Sequence, residues 1–245
     1  MISSIYYSTN KDKVVIQLQN HNAEVIGYLK YPISEEGVSH IFNEKRAIEI
    51  LSRQNIVKNY IISDVYNEVP FILLKSVKGN VGNLNKIDLD NLLLKFKKQG
   101  SFNLVSHPRI KDLKQKSLNF NFLNFPIMIE NICKESKKEY ALVFEHGDLA
   151  PWNVFMKKSS CTPFDFEYFV KDGLEFLDLI KYYYSIGKLI KQKKGKNLIS
   201  FVSRMGKIEE FEIIFKLFLI KEIMRNYSDN VPFKFEVELL ELMVV

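Results

Sequence analysis

Asp148, Asn153 and Asp165 are the residues of this 245-residue chain whose types and spacing could do chemistry together. They share one stretch, residues 140–168, YALVFEHGDLAPWNVFMKKSSCTPFDFEY. An apolar run ends in His146-Gly147-Asp148, Asn153 follows five residues later, and a second apolar segment ends in Phe164-Asp165-Phe166-Glu167. Two carboxylates and one amide on loops at strand ends outline a phosphoryl-transfer site. Such transfer asks little covalent help of a protein. It needs phosphates held in place, a metal that neutralises their charge, and a carboxylate that orients the acceptor hydroxyl. Asp148, at the head of its loop, is the expected catalytic base, taking or orienting the proton of that hydroxyl. Asn153 offers a neutral oxygen and Asp165 an anionic one, and Mg2+ prefers such donors completed by phosphate oxygens and water.

The elements that must position these residues follow from periodicity. Residues 1–32 read as three strands, 3–9, 14–20 and 24–31, joined by turns at Asn10-Lys11-Asp12 and His21-Asn22 into an antiparallel meander. A helix over 39–53 carries Ile41, Phe42, Ala47, Ile48 and Leu51 at amphipathic spacing. A strand pair near 56–66 and 70–77 comes next. Segment 78–83, KGNVGN, is made of residues that tolerate turn conformations. The boundary between an N-terminal lobe, 1–79, and a C-terminal lobe, 80–245, is placed there. Beyond it, 88–98 and 126–138 read as helices and 140–145 as a buried strand before the Asp148 loop. Segments 174–190, 209–227 and 235–244 are helical by spacing. The class is α+β, with a second half that is mostly helix.

Composition sets the outer limits. A hydrophobic fraction of 47% with 26% charged residues is that of a folded globular chain rather than a disordered one. The N-terminal residues MISSIYYSTNKDK have no secretory pattern and no apolar run reaches bilayer length, so a cytoplasmic protein without a membrane span is expected. Cys133 and Cys161 lack metal-ligand spacing and read as buried, reduced thiols. Lys188, Lys191, Lys193, Lys194 and Lys196 form a basic run, read as a solvated helix end. The alternative, an anionic partner such as nucleic acid or glycan, has no interleaved aromatics beside it, so no clear nucleic-acid site is expected.

H-G-D-x4-N followed by F-D-F-E is far more specific than either part alone. This stretch resembles the catalytic loop and metal-binding segment of the aminoglycoside phosphotransferase and choline kinase superfamily, whose fold is that of protein kinases. His146, Gly147, Asp148 and Asn153 match the first pattern in full, and Asp165 and Glu167 match the family's D-x-E/D segment. The resemblance makes Glu167 a further metal ligand and gives Asp178, in the next helix, a structural role. It also implies a lysine on the third strand that binds the α- and β-phosphates, held by a glutamate of the following helix. Lys30 lies near the end of the third expected strand. Glu44 shares a helix face with Ile41, Ala47 and Ile48, whereas Glu49 faces Lys45, Arg46 and Arg53. Lys30 and Glu44 are therefore the expected pair. Residues 71–74 running into 75–79 would carry the purine-reading hinge, with Gly79 as the family's linker glycine.

The departures from the family and from protein kinases are informative. Where protein kinases carry G-x-G-x-x-G, this chain has Ser8-Thr9-Asn10-Lys11-Asp12-Lys13, so phosphate contacts fall to Ser8, Thr9 or Asn10. Tyr28 takes a position that lines the adenine pocket. Gly147 and Ala150 replace the arginine and lysine of a protein-kinase loop, and the short run after Asp165 leaves no room for an activation segment. The implied reaction moves the γ-phosphate of ATP or GTP, with Mg2+, to a small-molecule hydroxyl, a sugar or an amino-alcohol. Segment 206–245 has mixed charge rather than the acidic lining that suits a polycationic antibiotic, which ranks an aminoglycoside resistance kinase lower. A nucleotide-binding pseudokinase acting as a regulatory module is the alternative outside catalysis. Trp152, the only tryptophan, reads as a core anchor of the loop or as a stacking surface for the acceptor.

Overall fold

The computed structural model describes residues 2–7, 12–58, 61–66, 69–77, 79–120, 124–157 and 160–243. Ser8, Thr9 and Asn10 lie outside the described residues, as does Lys78. The chain forms two compact units, 1–88 with 152–169 and 89–151 with 170–245.

The first unit opens with β1 (Ile2–Tyr7), β2 (Lys13–Gln19) and β3 (Val25–Pro32), then α1 (Glu35–Arg53), β4 (Ile61–Tyr66) and β5 (Val69–Lys75). The strands form one antiparallel sheet in the order β1-β2-β3-β5-β4. Asn20 closes the β2–β3 turn, its Oδ1 accepting the backbone N–H of Asn22 at 2.9 Å and of Glu24 at 3.0 Å. Helix α1 starts earlier than periodicity placed it because Ser34 caps it. The Ser34 Oγ accepts the N–H of Gly37 at 3.1 Å, and Glu35 and Glu36 favour the positive end of the helix dipole. Ile41, Glu44, Ala47, Ile48 and Leu51 form its buried face, while Phe42 and Glu49 are exposed.

The described part of segment 78–83 is not an open linker. Its residues Asn80–Val81 form β6, which pairs with β9 (Val154–Lys157). A Cβ on Gly79 would stand 2.8 Å from the Met156 carbonyl oxygen, so the glycine is required by close backbone approach rather than by turn freedom. Strand β9 turns into β10 (Ser160–Pro163), and this small sheet joins residues 152–169 to the first unit. The contact boundary accordingly comes after Asp88 and recurs around the hairpin, where the sequence reading drew one division after Gly79.

In the remaining chain, α2 (Lys86–Phe96) leads to β7 (Lys97–Asn103), α3 (Pro108–Ser117), α4 (Phe125–Glu135) and β8 (Glu139–Glu145). After the hairpin come β11 (Val170–Leu174), α5 (Leu177–Ser185), one π-helical turn at Ile186–Ile190, α6 (Gly195–Gly206), α7 (Phe211–Ser228) and α8 (Lys234–Glu241). Strands β7 and β11 flank β8 on both sides. Periodicity missed both because KKQGSFN and VKDGL are polar edge strands, and an edge tolerates charge where a central strand does not. The expected helix at 174–190 therefore starts only at Leu177. Helix α7 is buried around most of its circumference, with Phe211, Phe215 and Phe218 stacked in series, and it forms the centre of the second unit.

Two further expectations change. Trp152 is 39% exposed and does not anchor the loop; Leu149 and Ala150, both fully buried, fill that role. Cys133 is buried and its thiol is pushed up to about 12 by that burial, whereas Cys161 is only half-buried. No helix among the described residues is long and apolar enough to cross a membrane.

Candidate active site

In the first unit, strand alternation turns Lys30 onto the face of the sheet covered by α1, where Glu44 sits on the helix's buried face. The Lys30 Nζ lies 2.7 Å from Glu44 Oε2, 2.6 Å from Asp165 Oδ1 and 3.3 Å from Glu167 Oε1. Burial alone would lower the amine's pKa, but the three carboxylates hold it well above the usual lysine range. Burial opposes ionisation of Asp165 too, yet Lys30 keeps its carboxyl well below the usual carboxylate range. Glu167 goes the other way, pushed up to about 8 by burial and by the Asp165 charge, which outweigh the pull of Lys30.

The β9–β10 hairpin positions the metal-binding candidates. Asn153 ends a 3-10 turn, and its carbonyl accepts the N–H of Phe164 at 3.0 Å, so Asn153 and Asp165 leave the same end of the hairpin. Stacking of Phe155 on Phe164 at 4.3 Å fixes that end. Asp165 has φ of 68°, a left-handed conformation that aspartate tolerates better than most residues. Oxygens of Glu44, Asp165 and Glu167 all lie within 4.8 Å of one another, and Glu44 Oε1 is buried without a hydrogen-bond partner. An all-oxygen donor set of this kind fits a hard divalent cation. Asp12, His40 and Glu167 form a second group of three, in which one donor is an imidazole nitrogen. Gly79 is placed by the β6–β9 pairing, and Tyr28 is half-buried on β3.

Asp148 belongs to the second unit, on the loop that leaves β8. Asp178, in the first turn of α5, shapes that loop: its carboxylate accepts the N–H of His146 at 2.6 Å and of Gly147 at 3.0 Å. Gly147 takes φ of 83°, and His146 Nδ1 accepts the N–H of Asp148 at 3.4 Å. Burial and the neighbouring Glu145 push the Asp178 carboxyl up to about 6. Asp148 Oδ1 is 2.9 Å from Lys181 Nζ and 2.8 Å from Arg225. Both cations also contact Glu222 Oε2, at 2.7 and 2.8 Å. Burial opposes charge on Asp148, but Lys181 and Arg225 hold its carboxyl well below the usual range, so it is fully ionised at neutral pH.

No family model matches the sequence, and no curated protein matches it. Solved structures do. The choline kinase LicA from Streptococcus pneumoniae matches with a TM-score of 0.59 at 12% identity, covering 100% of this chain and 92% of that one. The chain shares its fold with this kinase. An ethanolamine kinase from Plasmodium vivax gives a TM-score of 0.56 at 13% identity over 99% of this chain and 82% of its own. An APH(2") enzyme solved with GDP and kanamycin gives 0.56 at 14% over 98% and 92%. The protein-kinase-like α+β class expected from the sequence is thus the class observed.

Within this kinase-like fold, several charged residues around the candidate groups escape sequence reasoning. Lys181 lies three residues after Asp178 on α5, so helical spacing would have placed both on one face. Glu222 and Arg225 sit in the apolar run of α7, where a buried charge is costly unless paired. Arg109 and Lys221 hold the buried Glu145 that ends β8, at 2.9 and 3.3 Å. Lys13 reaches Glu167 across 154 positions of sequence.

Proposed function

We propose that this protein is a small-molecule kinase that moves the γ-phosphate of ATP or GTP, with Mg2+, to a hydroxyl of a sugar or amino-alcohol. The observation that carries this reading is the Lys30 amine, held between Glu44 and Asp165 at 2.7 and 2.6 Å. A lysine fixed by a helix glutamate is the device that positions donor phosphates in kinase-like enzymes. Asp165 and Asn153, with Glu167, would hold the metal, which supplies charge neutralisation on the phosphates. The hydrogen bonds of Asp178 to the loop backbone orient Asp148. Its ionised carboxylate aligns the acceptor hydroxyl and takes its proton as the new P–O bond forms.

Lys181 and Arg225 bear on the acceptor. Lys181 and Arg225 cancel the charges of Asp148 and Glu222, so the cluster offers a polycation no net negative charge, which ranks an aminoglycoside below a sugar or amino-alcohol. Lys181 also supplies a cation that the loop itself lacks at Ala150. The test is nucleotide turnover against a panel of sugars, amino-alcohols and aminoglycosides, with Asp148→Asn as control. Loss of general-base assistance should lower turnover at least ~10²-fold on the true acceptor. Full activity in that variant would remove Asp148 from the mechanism. Nucleotide binding without turnover on any acceptor would favour the regulatory alternative.

A further inference from the structure

We infer that Lys13 is a second cation for the nucleotide phosphates, working beside Lys30 in place of the glycine-rich loop. The inference rests on the kinase reading and adds a residue to it. Glycine-rich loops offer backbone N–H groups to phosphate oxygens, and residues 8–13, STNKDK, contain no glycine to bring the backbone that close. A cationic side chain on β2 is the chemical substitute, since lysine binds phosphate as a point charge.

The sheet register puts Lys13 where such a group is needed. Val15 stands opposite Lys30 in the β2–β3 pairing, and Lys13, two residues before Val15, shares its face of the sheet. Lys13 and Lys30 are therefore diagonal neighbours on one surface. Both amines meet the same carboxylate: Lys13 Nζ is 2.7 Å from Glu167 Oε2, and Lys30 Nζ is 3.3 Å from Glu167 Oε1. Two amines spread over the two oxygens of one carboxylate are also spaced for oxygens of adjacent phosphoryl groups. Their side chains are equally accessible, at 9% each.

Charge balance points the same way. Asp12, Glu44, Asp165 and Glu167 are all carboxylates in contact with these two amines. Lys30 alone sets one positive group against the three carboxyls it touches, Glu44, Asp165 and Glu167, and Lys13 doubles the positive side offered to a polyanion. A purely structural role explains less, because a buried ion pair holds a fold no better than well-packed apolar side chains.

The test compares nucleosides with their diphosphates by calorimetric titration in EDTA, using adenosine with ADP and guanosine with GDP. Lys13→Met should weaken the diphosphate roughly 10-fold or more, the size of a charge-assisted hydrogen bond, and leave the nucleoside unchanged. Lys13→Arg should retain diphosphate binding. Equal losses for nucleoside and diphosphate, or no loss for either, would overturn the inference. If Lys13→Met does not fold, the double variant Lys13→Met with Glu167→Gln is compared with Glu167→Gln alone, so that only the loss of the Lys13 amine separates the two. A wild-type protein that binds no nucleotide overturns the kinase reading along with this one. Wild-type binding that Lys13→Met leaves intact overturns this one alone.

Discussion

Replacing Lys181 by Met takes one amine away from two carboxylates that are otherwise held 2.9 and 2.7 Å from it, Asp148 and Glu222. At an effective dielectric constant near 20, each contact carries about 6 kcal/mol of Coulomb attraction. Desolvation of the ammonium offsets several kcal/mol of that sum, since the Lys181 side chain is 7% exposed and that of Glu222 is 2%. Breaking a buried pair from one side should then cost about 3–5 kcal/mol, because the remaining carboxylates are left with Arg225 as their shared cation. Urea unfolding with a two-state fit measures this loss. The double variant Lys181→Met with Glu222→Gln removes one charge of each sign and leaves Asp148 paired with Arg225, so it should be more stable than Lys181→Met alone. The single variant should also shift the acid limb of the rate profile to higher pH, since the Asp148 carboxyl loses the first of the two cations that depress it. A stability loss below about 1 kcal/mol, or a double variant less stable than the single one, would refute this account of the cluster.

Two more perturbations test how the Asp148 loop is built. Asp178 titrates up to about 6 in the folded chain against 3.8 unfolded, so its contribution to stability is fully present below pH 3.8 and is lost as pH rises through about 6. Asp178→Asn lacks that titration, so thermal unfolding of variant and wild type should show the difference moving in the variant's favour between those pH values and levelling above them; a constant difference would contradict the raised pKa. At Gly173, a Cβ would stand 2.3 Å from the Glu145 Cβ and 3.0 Å from its backbone nitrogen. Gly173→Ala should therefore destabilise by about 1–3 kcal/mol through displacement of β11 from β8, and a neutral result in urea unfolding would show that the pairing is looser than described.

Sequence alone was enough to single out Asp148, Asn153 and Asp165, because the chemistry of phosphoryl transfer demands those residue types and a short motif keeps them close in the chain. It also pointed to Glu44, since a carboxylate on the apolar stripe of a helix is costly without a cation, and local periodicity reveals that stripe. The tertiary structure decided everything that depends on distant segments meeting. Lys13 and Glu167 are separated by 154 positions, and Asp148 and Arg225 by 77, so no local pattern ties them together. The polar edge strands β7 and β11 and the β6–β9 pairing were illegible for the same reason: each exists because a partner strand satisfies its backbone, not because its own side chains prefer a strand. Trp152 follows this rule as well, since tryptophan's tendency to be buried yields to Leu149 and Ala150, which the fold had already placed under the loop. The motif names the candidate groups, and the packing sets which charges stand beside them.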